Sequence, residues 1–289
     1  MLLRDGTWLK LRRSRRLFRI LVIGTLTYLA GCADPAARSE HIATGSGLTK
    51  QRLIGQGFAH IAYFNNGGQQ PGPPLHVYLS GDGSPWINRT HVAADPTPRN
   101  PVALQLMALD PGPSLYLGRP CYHGLADSVG CDASIWTSGR YSERVADSMA
   151  AALQRFLRGA GYRRVVLIGY SGGGVLAWLL ASRIRETELL VTVAANLDID
   201  AWTRLHDYTP LYDSLNPATL PPLPPSIRQL HLVGLRDSNV PPSLVRAALT
   251  GAGEQAIVAA KPADHRCCWE GLWPGILQDI RRLSARPPE

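Results

Sequence analysis

Residues 164–181 read Arg-Val-Val-Leu-Ile-Gly-Tyr-Ser-Gly-Gly-Gly-Val-Leu-Ala-Trp-Leu-Leu-Ala. The first third is a near-continuous aliphatic run, the composition of a strand covered on both faces. From Val175 to Ile184 the residues are Ala, Leu and Trp-rich and predict a buried helix. Between the two, Gly169-Tyr170-Ser171-Gly172-Gly173 must turn the chain from strand to helix. So sharp a reversal strains the serine backbone, and flanking glycines remove side chains that would clash. It also pushes the Ser171 hydroxyl out at the carboxyl end of a sheet, at the positive end of a helix, where negative charge is stabilised. A helix-capping serine in a glycine-rich turn would share these letters; the strand before and the helix behind separate the two. No lysine follows the glycines, which disfavours a phosphate-cradling loop.

Outward from this turn, short apolar runs alternate with helical stretches. Residues 52–64, 75–80, 114–118, 164–169, 189–195, 228–234 and 255–260 read as strands. Residues 142–158, with apolar positions at Val145, Met149, Ala152, Leu153, Phe156 and Leu157, read as an amphipathic helix, and 270–283 as a terminal one. Alternation of this kind predicts an α/β fold: one domain over 52–289, with a mostly parallel central sheet and helices on both faces. The Pro-rich stretch near 210–225 falls in an expected short lid insertion over 198–226.

In this context the chain resembles the α/β-hydrolase fold serine hydrolases. The resemblance covers 52–285 by organisation, and its specific signal rests on a few short motifs. The family order is nucleophile, acid, base. Ser171 stands in the nucleophile motif, and Asp237, in His-Leu-Val-Gly-Leu-Arg-Asp-Ser-Asn-Val-Pro-Pro, follows a strand where the family carries its acid. His265 ends the loop after the last strand, where the base sits. Asp198 and Asp200, after the strand that follows the turn, are rivals for the acid; Asp264 is too close in sequence to His265 to orient its ring. The chemistry needs all three types. A serine hydroxyl is a weak nucleophile until an imidazole takes its proton, and a carboxylate fixes the tautomer and stabilises the imidazolium. The resemblance further implies an oxyanion hole from the N–H of Gly172 and, in Ser80-Gly81-Asp82-Gly83, the N–H of Asp82, although Ser80 replaces the customary histidine. An Asp side chain beside an oxyanion is unfavourable, so that of Asp82 should point away or bind a substrate cation.

The chain has 289 residues, 45% hydrophobic and 18% charged, which excludes a disordered or coiled-coil protein. Its formal charge of +8 does not indicate nucleic acid. Seven of the 30 cations but one of the 22 acids precede Cys32, leaving 23 against 21 for the rest. The basic run and the apolar stretch of 12 residues at 20–31 read instead as an export signal, too short for a permanent span of about 20 residues. Leu29-Ala30-Gly31-Cys32 resembles a bacterial lipobox, which implies a signal peptide over 1–31, lipid on Cys32 and a membrane partner. Residues 32–51 then read as a polar tether, and Ala33 implies outer-membrane sorting, facing the periplasm. Ser14–Phe18 resembles a twin-arginine pattern, with the general route equally open.

Four further cysteines, in an oxidising compartment, allow three pairings. Cys121–Cys131 is favoured; Cys267 and Cys268 are adjacent and would need a strained ring. There is no metal-ligand spacing, and no cofactor or metal is expected. The expected activity is hydrolysis of a small-molecule carboxylic ester of small or medium acyl group, with amide or peptide hydrolysis, or a catalytically silent envelope binding protein, as alternatives.

Overall fold

In the computed structural model, residues 34–66, 72–250 and 255–285 are described; the leader over 1–31 and Cys32 lie outside them. The chain order is α1 (Pro35–Gly45), β1 (Thr49–Ile54), β2 (Ala59–Asn65), β3 (Leu75–Leu79), α2 (Val102–Ala108), β4 (Ser114–Leu117), α3 (Glu143–Ala160), β5 (Val165–Tyr170), α4 (Gly172–Ala181), β6 (Thr187–Val193), α5 (Ile199–Leu205), β7 (Arg228–Gly234), α6 (Pro242–Ala248), β8 (Ala256–Lys261) and α7 (Trp269–Ala285). The strands make one sheet in the order β1-β2-β4-β3-β5-β6-β7-β8. β1, β2 and β4 pair antiparallel; every pair from β4 to β8 is parallel. This is the α/β-hydrolase fold.

Strand alternation sorts the core into two layers. Val165 and Leu167 of β5 pack with α3 and α4 on one face, while Val166 and Ile168 pack with α1, α2 and α7 on the other. All ten residues of α4 are buried, which accounts for its uniformly apolar sequence. With β5 central and its neighbours parallel, the loops after β3, β5, β6, β7 and β8 gather at one edge.

The structure corrects three expectations. Most of the stretch read as a tether is ordered: α1 is capped by Asp34, whose Oδ1 accepts the Ala36 N–H (3.0 Å), and buries Ser39 and Ala43. Its Glu40 pairs with Lys50 at 2.6 Å, and β1 follows at 49–54. The run at 52–64 is two strands, not one, because the chain folds back at Gly55–Phe58, where the Gly55 N–H reaches the Phe58 carbonyl at 2.8 Å. Cys121 and Cys131 are joined, as favoured, with a Cα–Cα distance of 5.6 Å. Cys267 and Cys268 are joined to each other, contrary to the objection from ring strain.

The 198–226 segment contains α5 and lies close against the body: Leu211 and Leu223 are buried, while Tyr208 and Tyr212 stay exposed. Among the described residues no helix is long and apolar enough to cross a membrane.

Candidate active site

Ser171 follows β5 with φ 53° and ψ −127°, a conformation that costs a non-glycine residue energy and is found where a side chain must be presented. Its N–H bonds the Val193 carbonyl of β6 (2.8 Å), tying the turn to the sheet. His265 comes from the loop after β8. There the Asp264 carboxylate accepts the N–H groups of Arg266 (2.8 Å) and Cys267 (2.7 Å), and Tyr170 donates its hydroxyl to the His265 carbonyl (2.6 Å). Asp264 thus shapes the loop rather than facing the ring. Burial, then the charge of Asp237, pushes the Tyr170 phenol well above its ordinary range, so it stays a neutral donor.

Asp237 stands just after β7 with its side chain wholly buried. One oxygen, Oδ1, accepts the N–H groups of Asn239 (2.9 Å) and Val240 (2.7 Å); the other, Oδ2, meets His265 Nδ1 at 2.9 Å. A carboxylate there places the ring proton on Nδ1 and leaves the Nε2 lone pair for Ser171 Oγ, 3.1 Å away. Asn239 also reaches Nε2 through its side-chain amide (3.0 Å). The rival acids are engaged elsewhere: Asp198 caps α5 through the Ala201 N–H (3.0 Å), and Asn216 bonds both Asp198 and Asp200.

Four other histidines lie apart from this relay. His60, His123 and His231 are buried, and burial lowers each to about 4. His76 pairs with Asp110 (2.6 Å) near the start of β3, away from the carboxyl edge that carries Ser171.

The loop after β3 lies against the serine turn. A Cβ on Gly81 would stand 3.2 Å from the Ser171 Cβ. Neither the Asp82 N–H nor the Gly172 N–H has an acceptor among the described residues. The Asp82 side chain points into the protein, where it meets Arg119 Nη2 (2.9 Å), Arg140 Nη1 (2.8 Å) and the Tyr141 hydroxyl (2.7 and 2.8 Å to its two oxygens). Burial works against that carboxylate, but the charges of Arg140 and Arg119 and the Tyr141 hydrogen bond outweigh it and hold the carboxyl below its ordinary value. Arg119, Tyr122, Arg140, Tyr141 and Asn239 were not singled out from sequence. The one signal was the misfit of an Asp at an oxyanion loop, which called for a side chain turned away or a substrate cation; the cations are Arg119 and Arg140 of the protein itself. Among the described residues no cluster of three metal-ligating side chains occurs.

No protein-family model matches the chain, and none of the curated protein sequences is similar enough to count as a relative. Its fold is similar to that of several solved structures. An esterase from Pyrococcus furiosus shares 12% identity over 85% of this chain and 94% of its own, with a TM-score of 0.58. A membrane phospholipase A described as a bacterial virulence factor shares 13% over 94% and 100%, with a TM-score of 0.56. An alpha-beta serine hydrolase homologue from Coxiella burnetii shares 14% over 82% and 96%, with a TM-score of 0.51. At such identities the likeness establishes the fold.

Proposed function

We propose that this chain is a serine hydrolase that cleaves a carboxylic ester through an acyl-enzyme. The observation that carries this reading is the relay from Ser171 to His265 (3.1 Å) to Asp237 (2.9 Å), with the acid itself fixed by two backbone N–H groups. Ser171 Oγ attacks the carbonyl carbon as His265 Nε2 takes its proton, and Asp237 stabilises the imidazolium. The tetrahedral oxyanion is held by the N–H of Gly172 at the start of α4 and the N–H of Asp82 in the loop after β3. His265 passes its proton to the leaving alcohol, then activates the water that releases the acid. The names of two neighbours, an esterase and a phospholipase, agree with ester substrates. A small or medium acyl group suits the short lid.

Separately, we propose a bacterial cell-envelope location, supported by the lipobox-like Leu29-Ala30-Gly31-Cys32: an anchor of lipid on Cys32 and, with Ala33 following, the outer membrane facing the periplasm. A series of p-nitrophenyl esters of increasing acyl length tests the reaction: turnover by the wild type, lost in Ser171→Ala, supports it, and no turnover of any ester by folded protein refutes it. Anchoring is tested separately: Cys32→Ser should move the protein out of the membrane fraction and abolish labelling by radioactive palmitate.

A further inference from the structure

Residues 80–85 form no regular element, yet the proposed oxyanion donor at Asp82 must be held to a fraction of an ångström to be useful. Among the described residues, the side-chain hydrogen bonds to the Ser80 carbonyl and to Asp82 come from the 119–141 excursion between β4 and α3. Arg119 Nε donates to the Ser80 carbonyl (3.3 Å), and the Tyr122 hydroxyl donates to the Asp82 carbonyl (2.9 Å). Arg119, Arg140 and Tyr141 converge on the Asp82 carboxylate. Arg119 lies between two rings, its guanidinium carbon 5.8 Å from the Tyr122 centroid and 5.4 Å from that of Tyr141. Arg140 is held by the Thr137 carbonyl at 2.8 Å. The Cys121–Cys131 bridge closes the excursion beside Tyr122.

We infer that the Asp82 carboxylate, gripped by Arg119 and Arg140, is a positioning hub that aims the Asp82 N–H at the oxyanion and sets a net positive charge behind it. This rests on the acyl-enzyme reading above. A loop staple alone would need one cation for one carboxylate. Here two buried guanidiniums share a single acid, and no second carboxylate meets either among the described residues. Burying charge is costly, and an uncompensated one is costlier still. Because Asp82 carries the proposed oxyanion donor, the surplus acts on the carbonyl oxygen, which becomes negative in the transition state and not in the ground state. Fixed charge of that kind lowers the barrier without tightening substrate binding. Asp82 itself, though acidic, brings no net repulsion to the site.

The test uses Arg140→Gln, Arg140→Ala and Tyr141→Phe in the full-length protein, with folding checked by circular dichroism and melting. Loss of one oxyanion contact costs about 100-fold or more in kcat, and an indirect loss should cost less, roughly 10- to 100-fold for Arg140→Gln. KM should stay within about threefold, and the rate of inactivation by a fluorophosphonate should fall in step with kcat/KM. In Arg140→Ala, added guanidinium at non-denaturing concentration should restore part of kcat, while tetramethylammonium should not. Tyr141→Phe, which removes one hydroxyl and no charge, keeps the test open if both arginine variants fail to fold; it should lower kcat with KM unchanged. A folded Arg140 or Tyr141 variant with wild-type kcat overturns the inference, as does a loss that appears in KM alone. A wild type inert to esters and to the probe would instead reject the acyl-enzyme reading before any variant is made.

Discussion

The Cα of Gly172 lies so close to the Asp82 carboxylate that a Cβ there would stand 2.0 Å from Oδ1 and 2.3 Å from the Tyr141 hydroxyl. Neither neighbour can swing aside, because each is tied into the buried cluster of Arg119 and Arg140. Gly172→Ala should therefore push the loop after β3 away from the serine turn. The expected result is a loss of kcat on the order of 100-fold, with about 1–3 kcal/mol of stability lost to overpacking. Ester kinetics and urea unfolding check both; wild-type kcat in this variant would mean the two N–H groups do not act together.

Asp237 should be the acid. Asp237→Asn keeps the shape but removes the charge that fixes the His265 tautomer, and kcat should fall by roughly 10⁴. Asp198→Asn should keep its cap on α5, since an asparagine oxygen accepts the Ala201 N–H as well, and should retain both stability and activity. The reverse pattern of kinetics would reassign the acid to the loop after β6.

Acid should destabilise the fold well before ordinary carboxylates titrate. His60, His123 and His231 are each lowered from 6.5 to about 4 by burial, so the unfolded chain binds protons that the folded chain refuses. Their contribution is intact above pH 6.5 and is lost as pH falls toward 4, on the order of 3 kcal/mol for each group. Urea midpoints at pH 7.5, 6, 5 and 4.5 should decline steadily; a flat series would contradict burial of neutral imidazoles.

Removing the Cys121–Cys131 bridge should act on both stability and chemistry. It closes a loop with a sequence separation of 10, for which about 2–3 kcal/mol is the usual scale. Because Arg119 and Tyr122 flank Cys121, the double Cys→Ser variant should also lose kcat while still folded, measured at a temperature well below its melting point.

The turn at Ser171 was legible because a strand buried on both faces has to be aliphatic, and α4, buried on all sides, has to be small and apolar. Asp237 and His265 were legible as residues just past strands, in the order that brings loop ends to one edge. What could not be read depends on pairings distant in the chain. Arg119 and Arg140 look like solvated cations until folding brings them to Asp82, 37 and 58 positions away. α1 hides because it buries only Ser39 and Ala43 and carries no apolar stripe. β1 is an edge strand in which Gln51 and Leu53 are half-buried and the other four side chains exposed, so backbone bonds that hydrophobicity does not report do much to hold it. Cys267 and Cys268 follow by exclusion: with Cys121 bound to Cys131, each has only the other as a partner among the described cysteines.

Localising a fluorophosphonate adduct by peptide mass spectrometry tests the acyl-enzyme account most directly. The account predicts one modified residue, Ser171, with labelling abolished in Ser171→Ala and slowed at least 100-fold in His265→Ala. Folded wild-type protein that takes up no label, or takes it up at another serine, would contradict it.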